Sequence, residues 1–395
     1  MGDRLKSERV PYLTSRLQGF GESIFAEMSA LAISTNSINL GQGFPDTDGP
    51  LEISDAAIAA IRQGHNQYPP GVGIPALRAQ IAAHQRHFYD LSYDPDTEVL
   101  VTAGATEAIA ASLLSLVEVG DEVVMFEPYF DAYAGCAAMS GATRKVVTLN
   151  PPDYRFNFDA LREAVTDKTR ILLLNSPHNP TGKVFTRDEL ESIAEICVER
   201  DLIVISDEVY EHLTFDGNQH IPIATLPGMR DRTITISSAG KTFSFTGWKI
   251  GWACAPAPLL NAVRNAKQFL TYVNGAPFQH AIAFALSLPD HYYVKLASDM
   301  QNRRDQLCEG LERVGFEVFS PSGTYFVTAD ISVLGEADGL EFCRRLPARC
   351  GVVAVPNIAF YDNEAAGHSL VRFAFCKKPE VLDEAIGRLM MLKRS

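Results

Sequence analysis

The sequence predicts an α/β protein, and three observations carry that prediction. Short, nearly continuous apolar runs recur through the middle of the chain, helix-patterned segments separate them, and each run stops at polar or glycine-rich punctuation. The runs occupy residues 99–102, 122–126, 170–174, 202–206 and 233–237. Strands that are apolar along their length are buried on both faces, as in a parallel sheet. Between them the segments 106–117 and 186–200 have helical character, and the second opens Thr186-Arg-Asp-Glu189, the form of a capping box. Alternation of the two patterns argues for an α/β core. After about Phe278 the pattern changes. A long charged helical stretch runs through Arg304, and short strand-like runs follow at 316–319 and 324–329, which predicts a smaller α+β domain. The first forty residues are expected to join it. The expected division is therefore 1–45, an N-terminal arm and part of the small domain; 46–277, the large domain; and 278–395, the small C-terminal domain.

Composition narrows the function classes. A chain of 395 residues with 46% apolar content and both charge signs well represented reads as globular, soluble and of enzyme size. Its net charge of −13 repels phosphate backbones and anionic membranes, so nucleic acid is not expected as a partner. Seven cysteines, at 136, 197, 254, 308, 343, 350 and 376, are scattered without a Cys-x-x-Cys pair. Neither a disulfide framework nor a zinc site is indicated, and a reducing compartment is expected. No apolar run approaches a membrane span and no targeting segment is visible, so no membrane partner and a cytoplasmic location are expected. His84 and His87, with Arg86 between them, read as a solvated helix face, and no metal is expected.

Residues with chemistry to offer gather at the ends of the predicted strands, where ligands of open α/β sheets bind. Asp207 follows the run at 202–206. A carboxylate there either caps a following helix or keeps a cofactor's pyridine nitrogen protonated, which makes the ring an electron sink. Tyr210 can turn its phenol to the same ligand or to water. Asn175 and Asn179 bracket a turn, Ser-Pro-His-Asn-Pro-Thr-Gly, in which an amide can donate to a phenolic oxygen; the same composition suits an ordinary turn, and Pro180 is a candidate for a cis bond. Thr102-Ala-Gly-Ala-Thr-Glu107 spans a strand-to-helix junction, where free N–H groups and the helix dipole can bind phosphate. Gly104 permits close approach there and Thr106 adds a hydroxyl. Ser238 and Lys249 can bring a hydroxyl and a positive charge to the same phosphate, and the apolar neighbours of Lys249 argue against simple exposure. Between them stands Lys241, whose amine can form a Schiff base if a desolvated or cation-rich pocket keeps it neutral part of the time. Arg372 is a lone charge in Leu370-Val-Arg-Phe-Ala-Phe375, suited either to anchoring a carboxylate or to a buried structural ion pair. Phe130 can stack on a planar cofactor or serve as core.

This ordered set resembles the class I/II aminotransferases, and the match runs over nearly the whole chain. Within them, Asn39-Leu-Gly-Gln-Gly-Phe-Pro-Asp46, Asn66-Gln-Tyr68, Ser176-Pro-His-Asn-Pro-Thr-Gly-Lys183 and Ser238-Ala-Gly-Lys-Thr-Phe-Ser244 look like the kynurenine aminotransferase/glutamine transaminase K branch. The Gln-Gly-Phe-Pro-Asp and Asn-Gln-Tyr-Pro-Pro segments are also similar to actinobacterial N-succinyldiaminopimelate aminotransferases. The resemblance implies a fold type I architecture, with a mostly parallel seven-stranded sheet sandwiched by helices plus a smaller α+β domain, and pyridoxal 5′-phosphate as cofactor. It implies that Lys241 carries the cofactor covalently and shuttles the proton, that Asp207 partners the ring nitrogen, and that Asn179 and Tyr210 bind the ring hydroxyl while Phe130 stacks on the ring. Gly104, Ala105, Thr106, Ser238 and Lys249 would hold the phosphate, with Tyr68 reaching it from the other subunit of a homodimer. Arg372, Asn175 and the backbone at Gly43 would hold the substrate carboxylate. The implied activity is ping-pong amino transfer between an L-amino acid and 2-oxoglutarate. A cysteine-conjugate β-lyase is the enzymatic rival, and a cofactor-binding sensor would need a basic DNA-binding domain that the sequence does not show.

Departures from the kynurenine-type pattern bear on substrate choice. Where that branch carries an aromatic followed by Gly in the phosphate loop, a Trp in the N-terminal segment and a Phe-His pair near the pocket, this chain has Thr106-Glu107, Phe25 and Val273-Asn-Gly-Ala-Pro277. Fewer aromatic walls predict a larger, more polar pocket. That suits a longer, carboxylated donor such as N-succinyl-LL-diaminopimelate better than kynurenine, with a broad kynurenine, glutamine or methionine transaminase as the alternative.

Overall fold

The structure, a computed structural model, describes residues 12–394. Its strands in chain order are β1 (Ile38–Asn39), β2 (Val99–Thr102), β3 (Glu122–Glu127), β4 (Thr143–Thr148), β5 (Thr169–Asn175), β6 (Ile203–Asp207), β7 (Thr233–Ser238), β8 (Gly251–Cys254), β9 (Glu317–Phe319), β10 (Phe326–Asp330), β11 (Val352–Val353), β12 (Val355–Pro356) and β13 (Leu370–Ala374). Seven of them form the large sheet in the order β2-β8-β7-β6-β5-β3-β4. It is parallel except for β8, which runs antiparallel to both of its neighbours.

All five apolar runs are strands of this sheet. β2, β3, β6 and β7 are buried from end to end, and β5 over its last five residues. Strand periodicity explains why the runs are continuous. In β3, Val123 and Met125 face one core, with the helices Gly104–Leu116, Asp131–Ser140 and Ala257–Lys267. Val124 and Phe126 face the other, with the helices Phe158–Ala164 and Arg187–Glu199. The helix Arg187–Glu199 begins as its sequence predicts: Thr186 Oγ1 accepts from the Glu189 N–H, and the Glu189 carboxylate accepts from the Thr186 N–H at 2.9 Å.

Two strands of the large sheet lack the apolar signal. β4 is the edge strand and carries Arg144 and Lys145, the charged decoration that keeps an open edge from pairing with another chain. β8 is buried but only four residues long, and it starts at a glycine.

The C-terminal part forms a four-stranded antiparallel sheet in the order β12-β13-β10-β9. The helices Asp290–Val314, Gly339–Cys350 and Pro379–Leu389 contribute to its core. The charged stretch predicted through Arg304 is a helix that continues to Val314, and Pro289 separates it from the helix Ala276–Ala285. The N-terminal segment joins this layer through β1, which pairs in parallel with β11, and through Met28, Ala32 and Leu40 in the same core. Among the described residues no helix is long and apolar enough to cross a membrane. All seven cysteines are free and buried.

Candidate active site

Strand register builds the rim of the site. Across β5, β6 and β7, Asn175 stands opposite Asp207 and Asp207 opposite Ile236, so the carboxyl ends of these strands deliver Asn175, Asp207 and Ser238 side by side. β8 enters from the opposite direction, with Gly251 beside both Thr102 and Ser238. A side chain at 251 would not fit, because its Cβ would stand 2.6 Å from the carbonyl carbon of Gly104. Gly104 itself has φ +77°, a conformation that glycine adopts freely. This close seam brings the N-terminus of the helix Gly104–Leu116 beside the Lys241 loop.

A cavity of ≈ 380 Å³ opens at this rim between the two sheets. Every residue given a cofactor or substrate role by the sequence lines it except Tyr68. Tyr68 is 83% exposed and packs edge-on against Tyr272, in a separate recess formed by residues 66–69 and 273–277. The Val273-Asn-Gly-Ala-Pro277 segment therefore does not line the main cavity within one chain. Nor does Glu107, whose carboxylate turns back to accept from the Ala103 N–H at 2.6 Å and from the Thr271 hydroxyl. Of the three sequence departures, Thr106 and Phe25 are the residues on its wall.

Lys241 lies in the short helix Ala239–Thr242. Its amine donates to the Tyr325 hydroxyl at 2.8 Å and lies 5.6 Å from the Tyr210 ring centroid. Loss of water pushes the amine down to about 8; nearby Cys376 and Asp207 oppose that shift, while Lys249 and Arg372 reinforce it. Asp207 is 4% exposed, and burial raises its carboxyl to about 6 against the hydrogen bonds it accepts. Those come from the Tyr133 hydroxyl at 2.5 Å and the Val209 N–H at 3.3 Å. No helix follows Asp207 directly, so the capping alternative is removed. Tyr133 also holds Phe130 edge-on, with ring centroids 5.7 Å apart and planes at 85°.

Arg372 is 1% exposed in the middle of β13. It makes no ion pair with an acidic residue among the described residues; instead Nη1 donates to Asn179 Oδ1 and Nη2 to the Gly41 carbonyl, both at 3.0 Å. The rings of Phe326, Phe360 and Phe25 surround the guanidinium at 3.9, 5.0 and 5.1 Å. Its Nε is buried without a hydrogen-bond partner. Asn175 fixes the turn: its Oδ1 accepts from the Asn179 N–H at 2.7 Å and its Nδ2 donates to the Asp207 carbonyl at 2.9 Å. Both Ser176–Pro177 and Asn179–Pro180 are cis, which gives Pro180 the bond suggested by its turn.

Two sequence expectations need correction. Lys249 is exposed rather than enclosed, because it stands on the open wall of the cavity, where a Cβ at Gly104 would lie 3.0 Å from its Nζ. His84 is not on a solvated face: it is 5% exposed, and its Nε2 bonds His212 Nε2 at 2.7 Å. A carboxylate oxygen of Glu211 lies within 4.8 Å of both imidazoles, close enough for a metal-ligand set. Direct bonding between the rings instead makes one Nε2 the donor and the other the acceptor, burial pushes both imidazoles toward the neutral form, and His84 Nδ1 is left buried without a partner among the described residues. Only His87 is solvated, paired with Asp290.

These groups fit pyridoxal 5′-phosphate. An aldehyde needs an amine that is neutral near physiological pH, a pyridinium needs a buried carboxylate without a cationic partner, and a phosphate needs free N–H groups beside a cation. Lys241, Asp207, and the Gly104–Thr106 turn with Lys249 meet those needs in that order.

The profile of the family "Aminotransferase class I and II" matches residues 35–389. The chain is 54% identical over 388 residues to a probable N-succinyldiaminopimelate aminotransferase of Mycobacterium tuberculosis, covering 96% of this chain and 98% of the relative. It is 38% identical over 378 residues to a methionine aminotransferase of Escherichia coli, with 96% and 98% covered. The solved structure of N-succinyldiaminopimelate aminotransferase from Mycobacterium tuberculosis superimposes with a TM-score of 0.95 at 54% identity, over 96% of this chain and 100% of that one. Fold, cavity chemistry and likeness converge, and the chain belongs to the class I and II aminotransferases, enzymes that depend on pyridoxal 5′-phosphate.

Proposed function

We propose that this aminotransferase moves an amino group from N-succinyl-LL-diaminopimelate to 2-oxoglutarate in two half-reactions, within lysine biosynthesis. The observation that carries the amino-acid chemistry is Arg372, a guanidinium with, among the described residues, no acidic ion-pair partner and an unpaired buried Nε, facing the same cavity as the Lys241 amine. A substrate carboxylate would complete its hydrogen bonding. The backbone at Gly43 and the remaining amide hydrogen of Asn175 would orient that carboxylate. The choice of donor rests on the 54% identity to the mycobacterial relative and on Thr106 and Phe25 at the wall.

In this reading Lys241 carries the cofactor when no substrate is bound. Once displaced, its neutral amine takes the proton from the substrate's α-carbon and returns it to the cofactor side. When bound, pyridoxal phosphate supplies the electron sink for the pair left on that carbon. Asp207, kept dry and oriented by Tyr133, would hold the ring nitrogen protonated; Asn179 and Tyr210 would meet the ring hydroxyl, and Phe130 would pack on the ring face. Gly104, Ala105, Thr106, Ser238 and Lys249 would hold the phosphate.

The proposal extends to assembly and place. We assign residues 46–277 to a cofactor-binding domain, and 1–45 with 278–395 to a small domain, of which 1–11 and 395 lie outside the described residues. A homodimer with Tyr68 reaching the partner's phosphate is supported by the exposure of Tyr68, Leu51 and Phe269. A cytoplasmic location is supported by seven free cysteines.

A single-turnover spectral titration tests the donor. The cofactor-loaded enzyme is mixed separately with N-succinyl-LL-diaminopimelate, glutamate, kynurenine, glutamine and methionine. Fast, selective conversion by the succinylated donor and glutamate is expected. Preference for kynurenine, glutamine or methionine would overturn the assignment, and pyruvate with ammonia from a cysteine conjugate would reveal lyase chemistry.

A further inference from the structure

We infer that Tyr325 is a positioning residue for Lys241: its hydroxyl parks the free lysine amine with the lone pair turned toward the substrate, and does so only while Gly43 is seated against it. The inference rests on the proposed role of Lys241 as the proton carrier.

Tyr325 precedes β10 and is 1% exposed. Its ring packs edge-on against Tyr210 and Phe326, with centroids 5.1 and 4.8 Å apart. Phenylalanine would fill that space equally well, so packing does not account for the hydroxyl. The hydroxyl instead accepts from Lys241 Nζ at 2.8 Å and donates to the Gly43 carbonyl at 2.5 Å, with the Tyr210 hydroxyl as a further hydrogen-bond neighbour.

The direction of those bonds matters. A phenol has one hydrogen, and a carbonyl can only accept, so the hydrogen is committed to Gly43. Toward Lys241 the oxygen presents lone pairs alone. A neutral amine can then only donate to Tyr325, which leaves its own lone pair free for the cavity. If the segment carrying Gly43 moved away, the phenol hydrogen would be released to bond that lone pair and the base would be blocked. The segment lies directly on these rings: a Cβ at Gly43 would stand 3.2 Å from the Tyr325 ring and collide with Phe326. The other groups that set the charge of the amine, Cys376, Asp207, Lys249 and Arg372, make no hydrogen bond to it among the described residues.

Tyr325→Phe tests the inference, because it keeps the ring and removes only the hydroxyl. Enzyme in the pyridoxamine form, where Lys241 is free, is labelled at trace level with acetic anhydride across pH, and modification of Lys241 is read by mass spectrometry. Losing an acceptor disfavours the ammonium, so the labelling midpoint of the variant is expected to move down by about 0.5–1 pH unit. The single-turnover rate with 2-oxoglutarate is expected to fall roughly tenfold. An unchanged midpoint would overturn the inference, even if activity fell. A control keeps the two proposals apart: wild-type Lys241 must become resistant to labelling in the pyridoxal form. Failure of that control would count against Lys241 as the cofactor lysine, while the comparison of the two midpoints would still decide the role of Tyr325.

Discussion

The two sheets serve one cavity in different ways. The large sheet contributes at its ends: Asn175, Asp207 and Ser238 close β5, β6 and β7, and Gly104 follows β2. Backbone hydrogen bonding sets their spacing, so this wall, proposed to meet the cofactor, is as rigid as the sheet. The small sheet contributes from within: Arg372 sits mid-strand in β13 opposite Thr328 and Val355, and Phe326 starts β10. Its side chains reach sideways into the cavity, and their placement depends on packing between layers. The strand-end wall of the cavity is thus fixed by register, and the small-sheet wall, proposed to meet the substrate, by the fit of one layer on another.

Three substitutions probe this contrast, in falling order of effect. Lys241→Ala removes the one amine assigned to carry both the cofactor and the proton, and is expected to lower turnover by about 10⁴-fold or more with an unchanged circular dichroism spectrum. Retained activity would break the assignment at its strongest point. The wild-type pH profile sharpens it: the amine is pushed down to about 8, and below that pH it already holds a proton and cannot accept another. The step it serves should therefore quicken as pH rises toward about 8 and level off above it. On the substrate side, Arg372→Lys keeps the charge but loses the planar fork, and is expected to raise KM roughly 10- to 100-fold with a smaller change in kcat. An equal loss in kcat and kcat/KM would mean that Arg372 acts in the transition state alone. Far from both, Thr186→Ala removes the cap of Arg187–Glu199 and should cost about 1 kcal/mol of stability in urea unfolding, with activity unaltered.

The same contrast explains what the sequence disclosed. Asp207, Ser238 and the Gly104 turn each follow an apolar run, so a local pattern locates them. Tyr133 and Tyr325 escaped because their partners, Asp207 and Lys241, lie 74 and 84 residues away. In sequence, Tyr133 is one more aromatic on a helix and Tyr325 part of a strand-like run; only packing between layers turns them inward. His84 misled for a related reason, since a polar helix neighbourhood hid a side chain that meets His212 in the loop after β6. Edge strand β4 was invisible because its charges, Arg144 paired with Asp362 and Lys145 with Glu122, interrupt the apolar run. The core α/β pattern and the residues that line the cavity were legible, whereas the residues that orient them were not.

The Gly251–Gly104 seam has a mechanical consequence. Because β8 runs against its neighbours, the helix proposed to meet the phosphate and the short helix that carries Lys241 are locked to one another without an intervening side chain. A phosphate held by the first of these helices and an amine offered by Lys241 would therefore keep one fixed spacing. The seam would act as a gauge, setting the length of ligand that can reach both ends at once.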